Sequence, residues 1–323
     1  MRLLDVRNLS VYYSTRRGAV KAVDGISFDL QRGEVVGLAG ESGCGKTTVA
    51  MSILGIIPPP GRIVHGHILL DGIDLAGLSP EEMRKIRWKR ISMVFQSAMN
   101  SLNPVLPVGE QIAESIVTHQ GTTWGQGLSL ARRLLEQMEI DPSRTADYPH
   151  EFSGGMKQRV VIAMALACNP DLIIADEPTT ALDVLVQASV LRRLMELRRE
   201  MNISMILISH DLSIIAHMCD RVAVMYAGKI VEYSTTKNIF SIPKHPYTQM
   251  LIQAFPSIKA RKKFVSIPGV PPDPLNLPSG CSFHPRCPYV FERCLREEPG
   301  LLKVADAHVA KCHLAEEMSL IAK

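Results

Sequence analysis

The sequence predicts an α/β protein built on a phosphate-loop domain, with an inserted helical subdomain and a loop-rich, cysteine-containing C-terminal extension. Three observations carry that prediction. Gly40-Glu41-Ser42-Gly43-Cys44-Gly45-Lys46-Thr47 fits G-x-x-x-x-G-K-[ST]. The apolar run Glu34–Ala39 precedes it and a helical stretch, Thr47–Leu54, follows, which is the strand, loop, helix context the motif requires. Further apolar runs then alternate with helical segments, as in a three-layer α/β core.

The remaining elements follow in order. Residues 2–32 alternate apolar and polar, as the strands of a hairpin do: Leu9–Tyr13, then Ile26–Leu30. Ile91–Phe95 is a strand, and residues 108–168 are largely helical, with apolar periodicity in Ala131–Met138 and Val160–Ala167. Leu172–Ala175 and Ile203–Ile208 are buried strands. Composition shifts after Phe240: prolines crowd residues 241–299, which excludes a long helix or a central strand there. The expected domains are 1–240, holding a helical subdomain at about 97–168, and 241–323, a loop-rich extension with little core of its own. No internal repeat is visible.

Bulk composition narrows the function. At 323 residues the chain has ample core for one large or two smaller domains. A net charge of only +4 does not call for nucleic acid, and 5% aromatics disfavours a stacking platform for single strands. No run reaches the roughly 18 apolar residues of a membrane span. Asp5 stands where a signal peptide needs an apolar core, so the chain is expected to stay in the cytoplasm.

The glycine loop turns tightly enough to point consecutive N–H groups at phosphates, and the following helix presents its positive end to the same anion. Lys46 adds a charge for the β and γ phosphates, and Thr47 offers a hydroxyl to Mg²⁺. Asp176 ends an apolar strand and can hold the Mg²⁺ water shell; Glu177 beside it can polarise an attacking water. Gln96 ends strand 91–95 and can reach Mg²⁺ or water. His210 follows strand 203–209 and can donate to the γ-phosphate or orient water.

The set Gly40–Thr48, Gln96, Phe152–Gln158, Asp176-Glu177, Ala181-Leu182-Asp183 and His210 resembles the ATP-binding cassette (ABC) ATPases over roughly residues 1–240. The resemblance implies a P-loop NTPase fold with ATP held by Ser42, Gly43, Cys44, Gly45, Lys46, Thr47 and Thr48. It implies catalytic roles for Glu177, His210 and Gln96, and Mg²⁺ on Thr47 and Gln96. Ser153, Gly154 and Gly155 match the signature that caps ATP on the opposite subunit, and Asp183 matches the loop that crosses the dimer interface. Tyr13 sits where an aromatic stacks on adenine, with Tyr12 its rival. The signature departs from the usual L-S-G-G-Q at Phe152 and Met156. Two cassettes are expected to close on two ATP and to reopen after hydrolysis.

His245–Thr248, Ile267–Pro272, Gly280–Pro288 and the loop at 97–105 extend the resemblance to nearly the whole chain. They are similar to the ATPase subunits of bacterial dipeptide and oligopeptide importers. That implies a second ABC ATPase subunit (a paralogue or a copy of itself), two transmembrane permease subunits, an extracytoplasmic peptide-binding protein, and a peripheral place on the cytoplasmic face of the inner membrane. Relatives in this subfamily also serve nickel, glutathione or oligosaccharide uptake. A soluble ABC ATPase of nucleic-acid repair or translation is the alternative, although such proteins usually fuse two cassettes or carry a long coiled coil. Loop 97–105 is read as an exposed surface carrying Met99 and Leu102, able to dock a partner helix or simply solvated.

Cys281, Cys287, Cys294 and Cys312 crowd into the tail with spacing C-x5-C-x6-C-x17-C. Four thiolates can hold zinc or a [4Fe–4S] cluster, or stand as free structural thiols. The absence of a close C-x2–4-C pair weighs against zinc, and the importer resemblance implies the iron–sulfur cluster. His284, His308 and His313 are read as solvated rather than as ligands. The basic run Lys259, Arg261, Lys262, Lys263 is read as a solvated linker, with contact to anionic lipid as the alternative.

Overall fold

A computed structural model describes residues 1–96, 101–180, 182–254 and 267–315. The chain opens with β1 (Arg2–Thr15), β2 (Gly18–Gln31), β3 (Val35–Ala39), α1 (Lys46–Leu54), β4 (Gly61–Leu70) and β5 (Ile73–Asp74). It continues with α2 (Pro80–Ile86), β6 (Ile91–Val94), α3 (Val108–Gln120), α4 (Trp124–Gln137), α5 (Gly154–Leu166), β7 (Leu172–Asp176) and α6 (Val184–Glu200). Next come β8 (Ser204–Ile208), α7 (Leu212–Met218), β9 (Arg221–Tyr226), β10 (Lys229–Thr235) and α8 (Thr236–Ser241). The tail supplies α9 (Pro246–Gln253), α10 (Glu292–Arg296), β11 (Leu302–Ala305) and β12 (His308–Ala310).

Two compact units result. One comprises Met1, Gln31–Glu34 and Gly77–Leu207; the other comprises Arg2–Leu30, Val35–Ala76 and Ile208–Lys323. In the first, β6 and β7 pair in parallel, Ile91 opposite Leu172 through Val94 opposite Ala175. Leu172–Ala175 are fully buried, each Leu or Ile contributing roughly 1.5–3 kcal/mol of burial, so this strand end is rigid. Helices α2, α4 and α6 of this unit start on side-chain caps that take up free backbone N–H groups: Ser79 with Glu82 before α2, Thr123 with Gln126 before α4, and Asp183 before α6. Ile112, Ala113 and Ile116 of α3 form a buried stripe, and α3 packs on α4, which buries Ala131, Leu134 and Leu135.

The second unit holds a four-stranded sheet, β2-β1-β4-β5, built on the expected hairpin. Beside it runs a ladder in the order β11-β12-β10-β9-β3. β3 pairs in parallel with β9, Val36 opposite Arg221, and both strands are almost entirely buried. The tail adds β12 to β10 antiparallel, Glu232 opposite Ala310. The tail also has a core that proline content hid. Tyr226, Tyr247 and Phe283 pack ring on ring, with centroids 4.7–5.3 Å apart, and each is at most 2% exposed.

Three expectations need correction. Leu102 is buried, so it does not offer an exposed docking side chain; Val105 of that loop is exposed. His308 and His313 are buried rather than solvated. His308 lies on β12 and its Nε2 meets a Glu232 carboxylate oxygen at 2.7 Å, both side chains fully enclosed. Residues 97–100 of that loop, including Met99, and the basic run at 259–263 lie outside the described residues. Among the described residues, no helix is long and apolar enough to cross a membrane.

Candidate functional site

The phosphate-loop motif belongs to the second unit. β3 delivers Gly40, and α1 begins at Lys46 with no side-chain cap, so no cap competes for its first N–H groups. Gly40 has φ 145° and Gly45 φ 108°. A Cβ at Gly45 would lie 2.2 Å from the Ala22 carbonyl oxygen, so only glycine fits the turn there. Ser42 and Gly43 are exposed at the tip, while Thr47 and Thr48 are half-buried in the first turn of α1. Lys46 folds back on the loop, its Nζ donating to the carbonyls of Gly40 at 2.8 Å and Glu41 at 3.0 Å. Those are bonds that an incoming phosphate can replace. Cys44 is packed inward; burial pushes its thiol up, against the pull of nearby Lys46, which leaves it an inert core group.

His210 is exposed directly after β8, and Asp211 caps α7. Tyr13 is half-buried on β1 opposite Gly61, whose missing side chain makes room for the ring. Tyr12 is committed elsewhere: its hydroxyl donates to Asp24 at 2.7 Å. Burial and that carboxylate push the Tyr12 hydroxyl up to about 12.

In the first unit, Asp176 ends β7 at 1% exposure. Glu177 follows with φ 47°, a left-handed turn that swings its carboxylate out of the strand line. Gln96 Nε2 donates to Glu177 Oε2 at 3.1 Å, and the Thr180 hydroxyl donates to the same oxygen at 3.1 Å. Gln96 and Glu177, 81 residues apart, thus meet as their parallel strands end. Ser153 caps α5 by accepting the Met156 N–H, so Gly154 and Gly155 form its first turn. Asp183 caps α6 the same way and is exposed; neighbouring Ala181 lies outside the described residues.

The unusual signature residues have a local cause. The Arg144 guanidinium lies 4.3 Å from the centre of the buried Phe152 ring and donates to Met156 Sδ at 3.5 Å. Arg144 is itself held by Asp147 at 2.7 Å.

Cys281, Cys287, Cys294 and Cys312 line one cavity of about 20 Å³, shared with Phe291 and His313. The Cys281 N–H donates to the Cys294 carbonyl at 2.9 Å. Burial, with the other three cysteines adding, pushes the Cys281 thiol up to about 11. Among the described residues, no group of three or more His, Cys, Asp or Glu stands close enough to hold a metal ion.

Sequence reasoning missed Glu41, Tyr247 and Arg286. Each lies in a quoted motif, yet nothing local pairs Glu41 with an arginine 245 positions away.

Residues 23–180 match the ABC transporter family, and residues 231–294 match the oligopeptide/dipeptide transporter C-terminal region. The dipeptide transport ATP-binding protein DppD of Escherichia coli (strain K12) is 45% identical over 316 residues, 97% of each chain. DppD of Bacillus subtilis (strain 168) is 46% identical over 320 residues, 98% of this chain and 96% of the relative. The oligopeptide transport ATP-binding protein OppD of Bacillus subtilis is 45% identical over 318 residues, 97% of this chain and 89% of the relative. Among solved structures, the dimeric ATP-binding cassette MJ0796 in a post-hydrolysis state, bound to ADP and Pi, superposes with a TM-score of 0.65 at 27% identity. That match covers 72% of this chain and 99% of MJ0796. The fold is therefore that of the P-loop ABC nucleotide-binding domain, the activity is ATP hydrolysis, and ATP with Mg²⁺ is what the site takes. The chain belongs to the ABC transporter ATP-binding family, in the group of the dipeptide and oligopeptide transport ATP-binding proteins.

Proposed function

We propose that this chain is the ATP-hydrolysing subunit of a dipeptide or oligopeptide importer, peripheral on the cytoplasmic face of the inner membrane. Its partners are a second ABC ATPase subunit, two permease subunits and an extracytoplasmic peptide-binding protein. The similarity to peptide transport ATP-binding proteins along 97% of the chain supports the substrate class.

Ser42–Thr48 hold the phosphates, Lys46 leaving the loop carbonyls to meet the β and γ oxygens. Thr47, Gln96 and Asp176 hold Mg²⁺ and its water shell, and the ion screens phosphate charge when bound. Glu177 polarises the attacking water, with Gln96 and Thr180 fixing its carboxylate. His210 orients the γ-phosphate, and Tyr13 stacks on adenine because the Tyr12 hydroxyl is bound to Asp24. Ser153, Gly154 and Gly155 serve the partner's nucleotide through the first turn of α5, and Asp183 faces the partner. ATP drives closure because both subunits grip it only in the closed dimer. The Gln96–Glu177 contact carries the catalytic reading. Glu177→Gln is expected to keep ATP binding and lower turnover in the assembled importer by at least about 100-fold. Turnover within twofold of wild type removes Glu177 from that role.

The domain reading is a cassette at 1–240, with its helical part at about 97–168, and an extension at 241–323. For the extension we propose a [4Fe–4S] cluster on Cys281, Cys287, Cys294 and Cys312. That all four cysteines line one cavity supports it, and the buried thiols need a cation to ionise. Iron and acid-labile sulfide on anaerobically purified protein test it, about four of each per chain being expected. Cys287→Ser is expected to lose the iron and to expose the tail to protease. One zinc per chain, or full iron in that variant, contradicts the cluster.

A further inference from the structure

We infer that Arg286 and Tyr247 are positioning residues for the phosphate loop: the C-terminal extension holds Glu41, and through it the loop, in the conformation that receives nucleotide. The inference rests on Gly40–Thr47 being that loop.

Glu41 is the second residue of the motif and has no role in the chemistry above. All of its polar groups are held. Its carboxylate takes a two-pronged bond from Arg286, Nη1 to Oε2 at 2.7 Å and Nη2 to Oε1 at 2.9 Å. Its backbone N–H donates to the Tyr247 hydroxyl at 2.9 Å. Its carbonyl accepts from Lys46 Nζ and from the Cys44 N–H. The first two grips come from the extension.

Neither grip is a loose surface contact. The Arg286 side chain is 4% exposed. Its Nε donates to the Pro268 carbonyl at 2.8 Å, and its Nη1 also donates to the Tyr226 hydroxyl at 3.3 Å. Tyr247 is fully buried against Tyr226 and Phe283. A second observation places the same segment on the loop: Pro271, Pro272 and Leu277 line a cavity of about 300 Å³ together with Val20, Ser42 and Gly43.

Holding a glycine-rich loop removes conformational freedom that nucleotide binding would otherwise have to remove, so affinity rises without any new contact to ATP. An ion pair that only fastens the extension to the cassette would change thermal stability and leave affinity alone.

The test uses the full chain and a fluorescent ATP analogue, with hydrogen exchange read on peptides covering residues 40–48. Arg286→Gln is expected to weaken binding about tenfold and to speed exchange in the loop. Tyr247→Phe, which keeps the buried ring, is expected to weaken it about threefold. Glu41→Gln combined with Arg286→Gln should be no worse than Arg286→Gln alone, because both remove one interaction. In the assembled importer KM for ATP should rise while kcat stays near wild type, and Arg286→Lys should restore part of the loss. Wild-type affinity and loop exchange in Tyr247→Phe and in a folded Arg286→Gln overturn the inference, whatever their melting points. Lys46→Ala separates the two readings. If it loses nucleotide while the Arg286 and Tyr247 variants keep it, this inference alone fails; if it binds as wild type, the phosphate-loop reading falls and this falls with it.

Discussion

Gly45→Ala is the sharpest single perturbation of the loop, and Gly43→Ala is its internal control. At Gly45 the backbone has φ 108°, and an added Cβ would meet the Ala22 carbonyl oxygen at 2.2 Å. That oxygen is backbone and cannot rotate away, so loop and strand must part by close to an ångström. Strain at such a φ costs an L residue about 1–3 kcal/mol, and the overlap adds about 1–3 kcal/mol. A loss near 4 kcal/mol is therefore expected, about 8 °C in melting temperature at ~2 °C per kcal/mol. At Gly43 φ is 80°, but no atom lies within 4 Å of the added Cβ, so only backbone strain is expected, about 1–2 kcal/mol. The assay is thermal unfolding of both variants without nucleotide, followed by binding of a fluorescent ATP analogue. Displacing donors by about 1 Å is expected to weaken Gly45→Ala binding by about 100-fold. A Gly45→Ala protein that melts within a degree of wild type, or one more stable than Gly43→Ala, refutes the steric argument.

Two further predictions concern the second unit. The Glu232 carboxylate is fully buried and accepts from the N–H groups of Lys244 and His245 as well as meeting His308. His308→Ala leaves that carboxylate one partner short and should cost about 2–4 kcal/mol in denaturant unfolding; a loss below about 0.5 kcal/mol contradicts the network. Burial pushes the Asp24 carboxyl up, but the Tyr12 hydroxyl and the Lys229 ammonium outweigh it and hold it below its ordinary 3.8. A carboxyl lowered by folding stabilises above its unfolded value and loses that contribution as pH falls through its folded one. Asp24→Asn should therefore flatten the acid limb of stability below about pH 4, and an unchanged limb would show that Asp24 does not contribute to it.

The proposed nucleotide site is legible because its motifs fix the local backbone that carries it. The glycine loop dictates a turn, and the apolar runs ending at Ala39 and Asp176 dictate buried strands whose ends carry proposed site residues. The Gln96–Glu177 contact needed only the parallel register of β6 and β7. The tail was legible in composition but not in contacts. Prolines hid the aromatic cluster of Tyr247 and Phe283, whose third ring, Tyr226, lies far back in the chain. His308 read as solvated; it is buried because β12 adds to the edge of β10, a pairing across about 75 residues that no local pattern encodes. Leu102 misled in the same way, its short loop offering no periodicity to mark the inward side chain.

The most direct test of the central claim is ATP-driven uptake of a labelled dipeptide into proteoliposomes holding the assembled importer. The wild-type chain should give uptake that stops without ATP. Glu177→Gln should bind ATP yet transport at no more than about one hundredth of that rate. Undiminished uptake by Glu177→Gln, or wild-type ATP turnover with no peptide accumulated, would contradict the account.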